Sequence, residues 1–142
     1  MFPGRSEAKR HIPCVGALVH DDEARLLVVR RRREPGASLW SVPGGRVEAG
    51  ESDEEAVRRE VLEETSLHVL VGMLVGTVQR PGAAAGFVYD IRDYACSLAL
   101  ATAPVPGDDA EEVRWVSRAE LKSLDLVDGL WDALHQWGML PR

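Results

Sequence analysis

Cysteine is scarce in these 142 residues: only Cys14 and Cys96 are present, too few to staple a secreted scaffold. Two buried thiols in a reducing compartment are expected instead. Long apolar runs are missing as well. The stretch from Val69 to Gln79 carries no charge, but Gly72 and Gly76 interrupt it and it is too short to cross a bilayer. The first residues scatter Arg5, Glu7, Lys9 and Arg10 where a secretory signal would have an apolar block, which predicts a cytoplasmic protein with no membrane contact. Positive charge is in deficit. Lys plus Arg number 17 against 23 Asp plus Glu, a net charge of −6, so no nucleic acid polymer is expected as a partner. That balance leaves room for a small phosphate ligand held through a metal ion. No internal repeat, low-complexity tract or long linker divides the chain.

What is present is ordinary globular composition, 45% hydrophobic and 28% charged, at the commonest size for one domain. A flexible segment over 1–10 and one domain over 11–142 are expected. Ile12 to His20 and Arg25 to Arg33 read as apolar, β-branched strands, and the polar Asp21–Ala24 between them suggests a hairpin. After a Pro-Gly turn at Pro35-Gly36, a short apolar piece from Leu39 to Val42 runs into Pro43-Gly44-Gly45. Ser52 followed by Glu55 is a capping box opening a helix to about Thr65, with Val57, Val61, Leu62 and Ala56 on its apolar face. Residues 67–79 and 86–100 read as longer strands, with Gly72 and Gly76 marking bulges. A short strand from Val113 to Val116 precedes a second capping box, Ser117 with Glu120, whose helix breaks near Asp125. Leu130, Trp131, Leu134 and Trp137 then fall at helical spacing, as for a helix packing on a sheet. The order implies an α/β protein with a mixed sheet covered by helices.

Glu60, Glu63 and Glu64 stand at i, i+3 and i+4, so a helix places them on one face. Their mutual repulsion would be removed by a divalent cation; Mg²⁺ selects carboxylate oxygens and keeps positions open for phosphates. The alternative is a solvated acidic face with Arg58 and Arg59 pairing to nearby acids. A glycine turn just upstream favours the metal reading, because glycine lets backbone approach an ion or phosphate closely.

Gly45, five residues, Glu51, seven residues, then Arg59-Glu60-Val61-Leu62-Glu63-Glu64 and the apolar Leu67 closely resemble the signature of the Nudix hydrolases. Trp40-Ser41-Val42-Pro43-Gly44-Gly45 is similar to the family's approach to that box. One position departs: the family generally has Gly where this chain has Ser66. Ser can take the left-handed conformation needed there at about 1 kcal/mol, so an altered turn and an intact site are expected.

The resemblance implies an α/β/α sandwich around a central mixed sheet and metal-dependent hydrolysis of a nucleoside diphosphate linked to some group X. It implies Mg²⁺ or Mn²⁺ held by Glu60 and Glu64, with Glu63 as a third ligand and the Gly44 carbonyl as a backbone ligand. Arg59 would orient the glutamates, and Glu51 would support the loop. The proton of the attacking water falls to Glu60 or to Glu112, the latter on an acidic loop before the strand at Val113. Arg31 could hold substrate phosphate through a bidentate fork or be plain surface charge, and Gly45 could admit substrate against the backbone; Trp40 or Tyr89 could stack on a base, although packing in the core is the favoured role for both. The branch resembled is the ADP-ribose pyrophosphatase-like one, which implies ADP-ribose or a similar nucleotide sugar as substrate. The alternatives are a MutT-like pyrophosphohydrolase of normal or oxidised nucleoside triphosphates and a non-catalytic nucleotide sensor. A homodimer through a sheet edge or the last helix is compatible with the sequence.

Overall fold

The structure, a computed structural model, describes residues 9–142. In chain order the elements are β1 (Arg10–Val19), β2 (Leu26–Arg31), β3 (Trp40–Ser41), β4 (Gly44–Arg46), α1 (Asp53–Thr65), β5 (Val69–Pro81), β6 (Phe87–Leu98), β7 (Ala110–Val116), α2 (Arg118–Ser123) and α3 (Leu130–Gln136). A four-stranded mixed sheet has the order β4-β1-β6-β5, and a three-stranded antiparallel sheet the order β3-β2-β7.

Alternation along β1 and β2 defines the layers. Val15, Ala17, Val19 and Leu27 enter one buried cluster with Ala56, Val57 and Val61 of α1. Leu18, Leu26 and Val28 point the other way, into a second cluster with Leu121 of α2 and Leu130 and Leu134 of α3. Strands covered on both faces are why these segments read as unbroken apolar runs. The result is the expected sandwich of helix, sheet and helix.

The hairpin expected between the first two strands does not form. Asp21 does make a tight turn, its carboxylate accepting the N–H groups of Glu23 and Arg25. Only a single bridge, His20 to Leu26, joins the two segments there. β1 instead lies parallel to β6, from Arg10 opposite Phe87 to Val19 opposite Cys96, and antiparallel to β4. A strand apolar on both faces belongs in a sheet interior, and its neighbours need not be its sequence neighbours. Arg10, placed by sequence in the flexible segment, is thus the start of a strand; residues 1–8 of that segment lie outside the described residues.

Other expectations survive in detail. The ladder between β5 and β6 shifts register between Val71 and Leu74 and again between Leu74 and Gly76, the bulges announced by the two glycines. Both capping boxes are present, Ser52 with Glu55 and Ser117 with Glu120. Leu62 is the exception on α1: it is 43% exposed, so the apolar stripe is narrower than the sequence suggests.

Helix α1 ends on Ser66, whose φ of 63° is left-handed, with its N–H donating to the Leu62 carbonyl. The following loop returns to cap the helix. Val105 N–H donates to the Thr65 carbonyl, Gly107 N–H to the Glu64 carbonyl, and Ser66 Oγ to the Val105 carbonyl. A Cβ on Gly107 would overlap the Glu63 carbonyl oxygen, so the close approach requires glycine.

Candidate active site

The capping box fixes where α1 begins, and its buried Val57 and Val61 fix its rotation against β1. Those two constraints turn Glu60 and Glu64, one helical turn apart, toward β4. Glu64 Oε2 accepts the Gly44 N–H at 2.8 Å. Glu60 lies over Gly45 so closely that any Cβ there would collide with its carboxylate. Gly44 faces Gly16 across the ladder, between positions whose polar groups reach β1, as the bonds Ala17 N–H to Pro43 O and Val47 N–H to Pro13 O show. Its own N–H and C=O therefore point away from β1, on the side where Glu64 stands.

Burial works against charge at both acids. Glu64 is pushed up to about 8, chiefly by desolvation, with the Gly44 hydrogen bond opposing and neighbouring Glu60 adding to the rise. Desolvation also raises Glu60, against the pull of Arg59. Two adjacent carboxylates held where neither ionises easily are hard oxygen donors awaiting a cation, and a divalent ion would reverse the penalty. Glu60, Glu64 and the Gly44 carbonyl therefore fit Mg²⁺ or Mn²⁺.

Glu63 does not join them. Its side chain is 58% exposed and its Oε2 lies 3.3 Å from Arg59 Nη1. Among the described residues no three His, Cys, Asp or Glu side chains are gathered closely enough to share an ion.

Arg59 is the hub. Its Nε and Nη2 grip both oxygens of Glu51 at 2.7 and 2.9 Å, its Nη1 meets Glu60 Oε1 at 2.8 Å, and its Nη2 also reaches the Arg46 carbonyl. The grip holds the Glu51 carboxyl down at about 2, with the Glu48 N–H assisting. One guanidinium so ties the glycine loop, the segment before α1 and the helix together.

The remaining sequence candidates are spread more widely. Arg31 Nε donates to the Pro35 carbonyl at 2.7 Å, and its charge draws the Glu64 carboxyl downward. Glu112 is not on a loop: it sits within β7 opposite Arg30, with its carboxylate on Arg114 and near Arg30 Nη2. Trp40 is 5% exposed and packs in the second core, with the guanidiniums of Arg30 and Arg114 5.9 and 5.0 Å from its ring centre. Its backbone bonds to Asp125 and Val127 hold it there, so the indole has no free face for a base. Tyr89 remains partly exposed beneath the Arg46 guanidinium, 5.6 Å from ring centre.

Two features escaped the sequence. Asp53, the first residue of α1, takes Arg92 through paired bonds of 2.5 Å and the Tyr94 hydroxyl at 2.6 Å, which anchors the helix start to β6. Arg92 and Tyr94 stand two apart on one strand face, but nothing local marks a partner 39 residues upstream. Asp93, between them, faces the other way and is buried. Cys14 and Cys96 are buried free thiols; desolvation raises Cys14 and pushes Cys96 up to about 12.

A helix presenting paired carboxylates to a glycine loop inside an α/β/α sandwich defines a class of fold, and comparison places the chain within it. The NUDIX domain model matches residues 10–137, and the chain belongs to that family. A putative 8-oxo-dGTP diphosphatase of Bacillus subtilis (strain 168) is 35% identical over 104 residues, covering 73% of this chain and 65% of the relative. The ADP-ribose pyrophosphatase of Methanocaldococcus jannaschii is 31% identical over 115 residues, covering 78% of this chain and 64% of the relative. The chain thus spans a little under two thirds of both relatives. A MutT NUDIX hydrolase structure from Burkholderia pseudomallei superposes with a TM-score of 0.78 at 29% identity, covering 90% of this chain and 98% of that one. Among the described residues no helix is long and apolar enough to cross a membrane.

Proposed function

We propose that the chain hydrolyses the pyrophosphate linkage of a nucleoside diphosphate joined to a further group, with Mg²⁺ or Mn²⁺ held by Glu60, Glu64 and the Gly44 carbonyl. The observation that carries this reading is the placing of Glu60 and Glu64, both half-buried, against Gly44-Gly45. Bound there, the ion would neutralise pyrophosphate charge and make a water acidic enough to attack near neutral pH.

The chain's own groups do the rest. Arg59 orients Glu60 and is itself held by Glu51. Arg31, beside Glu64, offers its free guanidinium nitrogens to a phosphate. Gly45 makes room for the Glu60 carboxylate over the backbone. Glu63, on the exposed side of the helix, is a further oxygen donor once Arg59 releases it. Glu60 is the better placed of the two proton acceptors, because it stands against Gly45 beside Glu64, whereas Glu112 lies within β7 opposite Arg30.

ADP-ribose or a similar nucleotide sugar is the substrate we place first, supported by the relative named as an ADP-ribose pyrophosphatase. Cleavage of a normal or oxidised nucleoside triphosphate is the second reading, supported by the relative named as a putative 8-oxo-dGTP diphosphatase. Incubation with Mg²⁺ and ADP-ribose, nucleotide sugars, dinucleoside polyphosphates and normal and oxidised triphosphates separates them. AMP with ribose 5-phosphate supports the first and pyrophosphate release the second. Binding without turnover across the panel would mean a nucleotide sensor and would overturn both.

A further inference from the structure

The buried Val57 and Val61 decide which face of α1 meets the sheet, but apolar contact is non-directional and sets the roll of the helix only coarsely. The contact is also thin: Ala56, Val57, Val61 and Thr65 are the buried residues of α1, and Leu62 stays exposed. Roll matters to the proposed metal site. With side chains about 6 Å from the helix axis, a turn of about 20° would carry the Glu60 and Glu64 carboxylates about 2 Å, roughly ten times the tolerance of a metal–oxygen distance.

Asp53 stands where finer control would act. On a helix Asp53, Glu60 and Glu64, at i, i+7 and i+11, fall within about 40° of one another, between the buried Ala56 and Val57. All three thus share one sheet-facing stripe. Asp53 is gripped there by Arg92 Nε and Nη2 at 2.5 Å each and by the Tyr94 hydroxyl at 2.6 Å. Arg92 and Gly45 are both ladder partners of Val15, so the clamp and the glycine under Glu60 lie in one row across β6, β1 and β4. Two strand spacings, about 10 Å, separate them in that row, and α1 rises about 10.5 Å from Asp53 to Glu60.

The clamp does not serve as a cap, since Ser52 and Glu55 already box the helix start. The Arg92 and Asp53 side chains are 30% and 24% exposed, so their ion pair adds little stability. A planar fork closed on a carboxylate supplies orientation instead.

We propose that Asp53 is a positioning residue for the metal ligands: gripped by Arg92 and Tyr94, it sets the roll and axial place of α1 at which Glu60 and Glu64 stand over Gly44-Gly45. The proposal rests on the metal reading above and gives Asp53 no contact with ion or substrate.

Calorimetric titration of Mn²⁺ into the full chain tests it, for the wild type, Asp53→Asn, Arg92→Lys, the two combined, and Ser52→Ala. Asp53→Asn keeps the side-chain shape and loses the charge, while Arg92→Lys loses the fork. Each should weaken Mn²⁺ binding about tenfold, the usual cost of removing support behind a metal ligand. The double variant should be no weaker than the single ones, because both break one contact. Ser52→Ala removes the cap without touching Arg92; it should lower the melting temperature by about 3 °C and bind Mn²⁺ as the wild type does. Wild-type affinity in Asp53→Asn, additive losses in the double variant, or equal weakening in Ser52→Ala would overturn the proposal.

Should the Asp53 and Arg92 variants not fold, Tyr94→Phe removes one bond and leaves the ion pair. It should still weaken Mn²⁺ about threefold, and unchanged affinity there overturns the proposal. A wild type that binds no Mn²⁺ sinks the metal reading and this proposal together, whereas a wild type that binds it no better than Asp53→Asn sinks this proposal alone.

Discussion

Gly44 donates its backbone N–H to Glu64 across 20 residues of chain, at 2.8 Å, and this bond joins the glycine loop to the carboxylate helix. It opposes a larger effect, the desolvation that pushes Glu64 up to about 8 from an ordinary value near 4.5. Between those values the folded protein holds a proton that the unfolded chain has lost. The stability contributed by that proton is complete below pH 4.5 and is lost as pH rises through 8. Calorimetry without metal should show the melting temperature falling over that interval, and Glu64→Gln should flatten the slope. Added Mg²⁺ should stabilise the wild type most at the alkaline end, where the carboxylate is ready to receive it.

Among the described residues Arg59 is the one cation that touches Glu51, Glu60 and Glu63 together. Arg59→Lys keeps the charge but loses the planar fork that spans Glu51. Turnover should fall by about 10- to 100-fold, the usual cost of losing a group that orients a metal ligand, while the circular dichroism spectrum stays that of the wild type.

The turn at Ser66 was anticipated from a missing glycine, and its φ of 63° is what glycine would have supplied freely. The hydroxyl offsets part of the strain through its bond to the Val105 carbonyl. Ser66→Ala keeps the strain and loses that bond, so it should be less stable than the wild type by about 1 kcal/mol. Ser66→Gly should exceed Ser66→Ala by about 1 kcal/mol in denaturant unfolding. Equal stability of the two variants would remove strain from the account of this turn.

Gly107 lets the loop after β6 lie on the last carbonyls of α1. Gly107→Ala forces a methyl group into the Glu63 carbonyl and should cost about 1–3 kcal/mol, the range for overpacking a tight contact. Because the loop leads to Asp109, whose charge acts on Glu64, turnover should fall as well.

The legible parts of this protein are the local ones. Ser52 and Glu55 cap α1 three residues apart, Gly72 and Gly76 mark their own bulges, and Glu60 and Glu64 share a face because a helix makes them share one. Partners distant in sequence leave no such trace. An apolar β1 could have paired with any strand, and the turn at Asp21 made β2 the natural guess, whereas β6 lies parallel to it. Asp53 gives no sign that Arg92 and Tyr94 await it, and Asp93 reads as one acid among many until Gly16 is seen beside it. Trp40 leaves a stacking and a core role both open in the sequence, because its environment is built by Leu121, Leu130 and Leu134, from the far end of the chain.

The most direct test of the whole account is a Mn²⁺ titration followed by electron paramagnetic resonance, run on the wild type and on the Glu60→Gln/Glu64→Gln double variant. The wild type should quench the free-ion signal at a saturable site, and the double variant should bind at least about 100-fold more weakly while melting cooperatively. Identical titrations for the two proteins would mean that these glutamates hold no ion, and the proposed chemistry would lose its centre.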